Sequence, residues 1–153
     1  PEYYYEEFSL PGRRMNTSRG WEIYPQIMYD MAMRLKSEYG NIPWFIAESG
    51  MGIEQEERFA DSKGTIQDDY RIAYITEHLN SLLDAVKDGA NCNGYMLWAF
   101  TDCVSPMNAF KNRYGLVRID LEDDKKRSLK QSAYWYRDLI QSKRLEVAEH
   151  TYK

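Results

Sequence analysis

Hydrophobic and polar positions along this 153-residue chain change their period several times. Two short runs, residues 44–47 and 94–100, are apolar at nearly every position, which predicts strands buried on both faces. Segments with apolar residues at helical spacing lie before, between and after these runs. The order helix, strand, helix, strand, helix is typical of a parallel sheet with crossover helices, so the pattern predicts an α/β fold.

Local signals predict where the first two helices begin and end. Pro25 suits a first helical turn, where its missing N–H leaves no hydrogen bond unmade, and Gly40 is expected to end that helix. Asp68 or Asp69 is expected to cap the second helix, which should stop at Gly89.

The carboxyl-terminal part of the chain predicts one more helix and a tail. Residues 114–120 are expected to be extended. Ser128 and Gln131 form a capping-box pattern that predicts a helix over residues 129–141. Residues 143–153 are polar and predict a surface tail.

The composition is that of a globular domain, with 43% apolar residues and a net charge of −4. No basic surplus suggests a nucleic-acid partner, and no apolar run is long enough to span a membrane. The spacing of Cys92 and Cys103 does not indicate a metal site, and lone thiols favour a reducing compartment, so we expect the cytoplasm. The aromatic content of 14% fits either a large core or a site that stacks flat polar ligands.

Glu48 follows the first apolar run directly. Active sites of parallel α/β folds lie at the carboxyl ends of strands, and Trp98 and Ser105 lie near the end of the second run. On position alone, Glu48 could be a solvated loop residue. A carboxylate beside aromatic rings is also what glycoside hydrolysis requires, where one carboxylate attacks the anomeric carbon and a second, about 5 Å away in retaining enzymes, protonates the leaving oxygen.

Five motifs, in the same order, resemble those of glycoside hydrolase family 1. Residues 46–50 read IAESG and resemble the family's ITENG nucleophile signature. Residues 20–25 read GWEIYP and resemble GWEIxP, and residues 64–72 resemble the segment before the seventh barrel helix. Residues 94–98 match GYxxW, and the RYGL run at 113–116 resembles the family's carboxyl end. The resemblance extends along nearly the whole chain.

This resemblance implies a retaining β-glycosidase on a (β/α)8 barrel. Residues 1–153 would be its carboxyl-terminal portion, about strands 7 and 8 with their helices, which is incomplete on its own. Glu48 would be the nucleophile and Trp98 the platform under the sugar in the first subsite. No cofactor or metal is expected. No Glu-Pro pair matches the family's NEP acid/base motif, so the remainder of the same polypeptide is expected to supply the acid, and this portion alone is expected to be inactive.

Residues after the second predicted strand separate branches of the family. Most of its β-glucosidases have Glu-Trp there, where this chain has Ser105-Pro106. The branch that acts on 6-phospho-sugars places serine, lysine and tyrosine around the phosphate, and a hydroxyl can donate to a dianion that a carboxylate would repel. Ser105 and Tyr114 match this pattern. Lys111 stands one place before the expected lysine position, which Asn112 occupies, so either residue could contact the phosphate.

The leading hypothesis is therefore hydrolysis of a 6-phospho-β-D-glucoside, such as a cellobiose or aryl-glucoside phosphate, to glucose 6-phosphate and an aglycone. The small ring of Pro106 favours the gluco over the galacto configuration. One alternative is a β-glucosidase for unphosphorylated substrates. An alternative from another class is a non-catalytic carbohydrate-binding fragment, against which the presence of Glu48 argues.

Overall fold

The computed structural model describes residues 11–145 of the chain. Its α-helices are α1 (Ile27–Glu38), α2 (Asp69–Lys87) and α3 (Gln131–Ser142), with a short 3₁₀ helix at Glu56–Phe59. Its strands are β1 (Met15–Asn16), β2 (Trp21–Glu22), β3 (Trp44–Ser49), β4 (Ile53–Glu54), β5 (Cys92–Leu97), β6 (Asn112–Arg113), β7 (Val117–Ile119) and β8 (Arg127–Leu129). None of these helices is long and apolar enough to cross a membrane. Most of the predicted tail lies outside the described residues.

β3 and β5 form the parallel pair at the centre of the fold, and α2 lies in the connection between them. Ile46 pairs with Tyr95, and Ser49 pairs with Leu97. α1 packs against α2, and α3 also contacts α2. The predicted order of helices and strands, and the α/β class, are confirmed.

The prediction that both strands are buried on both faces is wrong. Phe45 in β3 is 57% exposed and Met96 in β5 is 53% exposed. Within residues 11–145 the parallel sheet has only these two strands, so their outward side chains have no further strand or helix to pack against. The apolar composition is nevertheless that of strands from the middle of a larger sheet.

The remaining strands form short antiparallel ladders that the hydrophobic pattern did not predict. β1 pairs with β2, β4 with β6 and β7 with β8. Each has only two or three residues, too few for a period to be visible. The extended segment predicted at 114–120 contains β7, which continues through a turn into β8.

The ends of α1 agree with the sequence signals to within two residues. The helix begins at Ile27 rather than at Pro25, because residues 24–27 form a turn in which Ile27 donates its N–H to the Tyr24 carbonyl (3.1 Å). Gly40 follows the end of the helix with a positive φ of 71°, a conformation that glycine adopts without a steric penalty.

The two predicted side-chain caps are absent from α2 and α3. Asp68 precedes α2, but its carboxylate binds the N–H (2.8 Å) and hydroxyl (2.5 Å) of Ser132 at the start of α3 instead. Ser128 lies in β8, paired with Arg118, and α3 begins only at Gln131. The predicted capping box is therefore wrong. Ser128 pairs in β8, and Asp68, which is distant in sequence, binds the start of α3 in its place.

Apolar packing is divided between two small clusters. The first consists of Ala32, Ala85 and Ala90, and the second of Ile23, Met51 and Ile53. In the first, small side chains let α1 approach α2 closely, and Trp44 packs at its edge. In the second, Phe59 and Tyr70 cover the segment that follows β3. The first cluster lies at the amino ends of β3 and β5, and the second packs α2 against the loop that follows β3.

Candidate active site

Glu48 lies near the carboxyl end of β3 with its side chain exposed. It lines an open cavity of about 640 Å³, a volume within the range of sites for small ligands. Trp98, Ser105 and Tyr114, which follow β5 in the chain, line the same cavity. The structure thus brings together four of the predicted site residues from two separate segments.

The close approach of two backbones explains the sequence Glu48-Ser49-Gly50. The Ser49 carbonyl accepts a hydrogen bond from the Trp98 N–H (2.9 Å). A Cβ atom on Gly50 would lie 1.8 Å from the Trp98 carbonyl oxygen, so only glycine fits there. The motif therefore ties the acid-bearing strand to the tryptophan-bearing segment.

Trp98 presents a partly exposed indole to the cavity, with 41% of the residue accessible. The next residue, Ala99, donates its N–H to the Tyr114 carbonyl (3.2 Å), and the Ala99 carbonyl accepts from the Leu116 N–H (3.1 Å). An exposed aromatic face of this kind can stack against the apolar face of a ligand ring. The two hydrogen bonds fix the spacing between Trp98 and Tyr114.

Ser105 lies in a tight turn that is closed by reciprocal backbone hydrogen bonds with Ala109, both 2.8 Å long. Its hydroxyl oxygen accepts from the Met107 N–H (3.3 Å), which leaves the hydroxyl proton free to be donated. Pro106 also lines the cavity. The turn therefore presents one hydroxyl and a small ring, with no carboxylate of its own.

Tyr114 is buried against the backbone of the loop after β3. A Cβ atom on Gly52 would meet the Tyr114 ring at 2.5 Å, so the missing side chain makes room for the phenol. Burial raises the pKa of Tyr114, and the positive charge of Arg19 opposes that rise. The hydroxyl is protonated at neutral pH and can donate a hydrogen bond into the cavity.

Lys111 and Asn112 do not line the cavity. Lys111 is exposed and pairs with Glu54 (3.1 Å). Asn112 is fully buried, and its side chain bonds to that of Asn108 and to the Ser18 carbonyl (3.4 Å). Their positions do not favour the predicted phosphate contact from either residue.

Two residues that line the cavity escaped the sequence interpretation. Arg19 lies just before the GWEIYP motif, and its guanidinium carbon is 4.3 Å from the centre of the Trp21 ring. His78 is buried on α2, stacks on Tyr74 with ring centres 3.9 Å apart, and bonds through Nδ1 to the Tyr74 carbonyl (2.7 Å). Burial lowers the pKa of His78, which favours a neutral ring. His78 lies three residues after Ile75, so it falls on the same face of α2 as that buried residue, and this spacing could have predicted its burial.

A fully buried arginine supports the cavity from behind. Arg71 donates to the carbonyls of Met51 (2.7 Å) and Tyr114 (2.9 Å), one from each loop that lines the cavity. Its charge is balanced by Glu56 (2.7 Å) and Asp68 (2.9 Å). Because a guanidinium has five donors in a fixed plane, one side chain can hold both loops in register.

Lys130 extends the same buried network to the segment after β5. Its ammonium pairs with Glu56 and with Asp102 (2.9 Å). Asp102 in turn accepts hydrogen bonds from the Gly115 N–H (3.0 Å) and the Ile119 N–H (3.3 Å). We call Arg71, Lys130, Glu56, Asp68 and Asp102 the buried charge cluster. It fixes the backbone on either side of Tyr114.

Among residues 11–145, no group of three or more His, Cys, Asp and Glu side chains is placed to hold a metal ion. The charged side chains that line the cavity are Arg19, Glu22 and Glu48. Glu22 is bound by Arg13. The cavity therefore offers one unpaired carboxylate, one cation, hydroxyl donors and the indoles of Trp21 and Trp98.

A carboxylate at the end of a parallel strand beside an exposed indole is typical of the sugar-binding wall of an α/β glycosidase. Residues 8–145 match the sequence model of glycosyl hydrolase family 1. The chain belongs to that family, and the resemblance inferred from its motifs is confirmed.

Curated relatives are named for phosphorylated substrates. The 6-phospho-beta-glucosidase GmuD of Bacillus subtilis (strain 168) is 50% identical over 99% of this chain, which spans 31% of that protein. The 6-phospho-beta-galactosidase of Staphylococcus aureus (strain JH9) is 43% identical over 85% of the chain and 27% of that protein. The chain thus spans less than a third of the length of these relatives.

Solved structures show the same fold. The beta-glucosidase from Thermotoga maritima in complex with methyl acetic acid-substituted glucoimidazole matches 92% of this chain and 31% of that chain, with a TM-score of 0.82 and 28% identity. The chain is therefore an α/β part of the barrel of these enzymes.

Proposed function

We propose that this chain is the nucleophile-bearing part of a retaining 6-phospho-β-glucosidase. In the complete (β/α)8 barrel, β3 and β5 would be about strands 7 and 8. The parallel pairing of β3 with β5 and the match to about a third of each relative support this assignment. The remainder of the barrel would supply the other strands and the acid/base residue.

In the proposed reaction the Glu48 carboxylate attacks the anomeric carbon of the bound sugar. The bond from that carbon to the aglycone oxygen breaks, and a carboxylic acid from the rest of the barrel gives its proton to that oxygen. Water then attacks the glycosyl ester, and the second carboxylate takes up the proton of the water. The products are the aglycone and glucose 6-phosphate, with retained configuration. That second carboxyl group is expected about 5 Å from Glu48.

The remaining side chains of the cavity suit the recognition of such a substrate. The exposed indole of Trp98 provides a platform for the sugar ring. The hydroxyls of Ser105 and Tyr114 are donors of the kind that a phosphate accepts. At the position of Ser105 a glutamate would repel the phosphate dianion, so serine favours a phosphorylated sugar over a free one.

One observation supports this function most. The Glu48 carboxylate and the hydroxyl-bearing residues Ser105 and Tyr114 lie on one cavity beside Trp98. The test compares kcat/KM for p-nitrophenyl β-glucoside 6-phosphate with that for p-nitrophenyl β-glucoside in the complete enzyme. We expect a strong preference for the phosphorylated substrate. Preference for the unphosphorylated one would instead make the protein an ordinary β-glucosidase.

The sugar in this proposal has the gluco configuration. Pro106 is a small ring at the cavity, and the curated relative with 50% identity is named for glucoside hydrolysis, whereas the one with 43% identity is named for galactosides. The 6-phosphates of p-nitrophenyl β-glucoside and β-galactoside separate the two possibilities. Faster hydrolysis of the galactoside would contradict the gluco assignment.

We also propose that the chain needs the rest of the barrel. Phe45 and Met96 leave apolar surface exposed on the parallel pair, and unpaired strand edges promote aggregation. Residues 1–153 expressed alone are expected to be unstable and inactive, and measurable glycosidase activity from them would contradict this.

The free thiols of Cys92 and Cys103 fit a cytoplasmic location.

A further inference from the structure

The turn between β1 and β2 is attached firmly to the loop after β3. The Asn16 side chain donates to the Gly52 carbonyl (3.0 Å), and the Ser18 hydroxyl accepts from the Glu54 N–H (3.1 Å). Within the turn, the Arg19 N–H donates to the Asn16 carbonyl (3.1 Å). The backbone that bears Arg19 is therefore fixed relative to the cavity.

The Arg19 side chain is held in place but has an unused donor. Its guanidinium lies over the Trp21 ring at 4.3 Å, a cation–π contact that restrains the long side chain. Arg19 forms no ion pair with any residue in the range 11–145, and its Nε is buried without a hydrogen-bond partner. A buried donor with no partner is unfavourable. Arg19 also lines the cavity, where an anionic ligand would accept hydrogen bonds from the accessible part of its guanidinium.

Arg19 is the only arginine or lysine among the described residues that line the cavity. Lys111, the other candidate cation, is paired with Glu54 instead. Asn112 lies where the family pattern led us to expect a lysine, and its amide donates to the carbonyl of Ser18, the neighbour of Arg19 (3.4 Å). The residue that replaces the lysine thus helps to position a different cation.

A sugar phosphate in this cavity requires such a cation. The dianion would share the cavity with the carboxylates of Glu22 and Glu48, of which Glu22 is bound by Arg13. Hydroxyl donors stabilise an anion but do not neutralise its charge. A guanidinium does both, because its planar donors match two phosphate oxygens at once.

We propose that Arg19 binds the 6-phosphate of the substrate together with Ser105 and Tyr114, in place of a contact from Lys111 or Asn112. This inference rests on the proposed 6-phospho-β-glucosidase function and names the residue that neutralises the phosphate. The opposing effect of the Arg19 charge on the pKa of Tyr114 is consistent with the two groups facing the same space.

The test is Arg19→Met in the complete enzyme, which keeps an unbranched side chain and removes the charge. The measured quantity is the ratio of kcat/KM for p-nitrophenyl β-glucoside 6-phosphate to that for p-nitrophenyl β-glucoside. We expect this ratio to fall by about 10- to 100-fold, the value of one charge-assisted contact. Arg19→Lys should retain much of the ratio. Inhibition by glucose 6-phosphate relative to glucose should weaken in parallel with the ratio.

Arg58→Met is the matched control, because Arg58 also lies over an aromatic ring, Phe59 at 4.7 Å, but does not line this cavity. Its ratio should equal that of the wild type. If Arg19→Met fails to fold, Arg19→Gln gives the same comparison, with the amide as donor and no charge. A wild-type enzyme that prefers the phosphorylated substrate, combined with an unchanged ratio in Arg19→Met or Arg19→Gln, overturns this inference alone. No preference in the wild type overturns the proposed function and the inference with it.

Discussion

The cavity wall, formed by Glu48, Trp98, Ser105 and Tyr114, exposes its charged side chain. The buried charge cluster behind it encloses all of its charged side chains. Glu48 is exposed on the cavity, and beside it Trp98 is 41% exposed. In the cluster, Arg71 is 1% and Lys130 is 0% exposed, and both are held by carboxylates. The wall presents groups to a ligand, whereas the cluster fixes the loops that bear those groups.

This difference has an energetic consequence. An exposed charge makes weak contacts and can be changed at little cost to stability. A buried ion pair contributes little net stability over a well-packed apolar replacement, but the removal of one partner leaves the other charge buried and uncompensated. Substitutions of exposed wall residues should therefore lower activity with little change in the free energy of unfolding. Substitutions in the cluster should mainly lower the free energy of unfolding.

The largest effect is expected on the wall, from Glu48→Gln in the complete enzyme. Removal of the nucleophile should lower kcat/KM for p-nitrophenyl β-glucoside 6-phosphate by about 10⁴-fold or more. The free energy of unfolding should change by no more than about 0.5 kcal/mol, because the side chain is exposed. Steady-state kinetics and urea unfolding measure the two quantities.

The exposed carboxylate of Glu122 provides the control for that experiment. Glu122→Gln should leave both the rate and the stability unchanged. If Glu48→Gln keeps a tenth of wild-type activity, Glu48 is not the nucleophile. The assignment of catalysis to the cavity wall would then be wrong.

The next largest effect is expected in the cluster, from Lys130→Met. The substitution leaves Glu56 and Asp102 without their shared cation, so the free energy of unfolding should fall by about 3–5 kcal/mol. Lys126→Met is the control, because Lys126 is exposed and pairs with Asp123 (3.3 Å), and it should cost at most about 1 kcal/mol. Equal losses in urea unfolding would show that burial does not distinguish the two lysines.

The sequence predicted the wall better than the cluster. A strand end followed by Glu48, and a second strand end near Trp98, are local patterns that a parallel fold brings together. Glu56, Asp102 and Lys130 lie in three separate segments, and nothing local shows that their charges are buried. Arg19 escaped prediction for the same reason, since its place on the cavity depends on how the short hairpin of β1 and β2 packs against the loop after β3.

The helix ends show the same limit on a smaller scale. Asp68 or Asp69 was expected to cap α2, and Asp68 instead binds Ser132 at the start of α3. Ser128 has the right spacing for a capping box but pairs in β8. In each case the local propensity is real, and a tertiary partner competes for the same side chain.

A smaller effect is expected within the wall, where the backbone of Gly50 lies against that of Trp98. In Gly50→Ala the new Cβ would lie 1.8 Å from the Trp98 carbonyl oxygen, so the segment must shift. We expect a loss of about 1–3 kcal/mol in stability and a raised KM, since the indole platform moves. Gly94→Ala is the control, because its nearest neighbour, the Phe45 Cβ, is at an ordinary 3.4 Å. If the two variants unfold at the same urea concentration, the close approach does not constrain the site.

The smallest effect is expected from Lys111→Met, which tests the lysine one place before the position where the family pattern has its phosphate-binding lysine. Lys111 is exposed and its pair with Glu54 is solvated, so the loss of stability should be at most about 1 kcal/mol. The preference for the phosphorylated substrate should stay within about threefold of wild type, which corresponds to less than 1 kcal/mol. A fall as large as that expected for Arg19→Met would mean that Lys111 leaves Glu54 when substrate binds. The cation would then come from an exposed surface side chain rather than from one already positioned in the cavity.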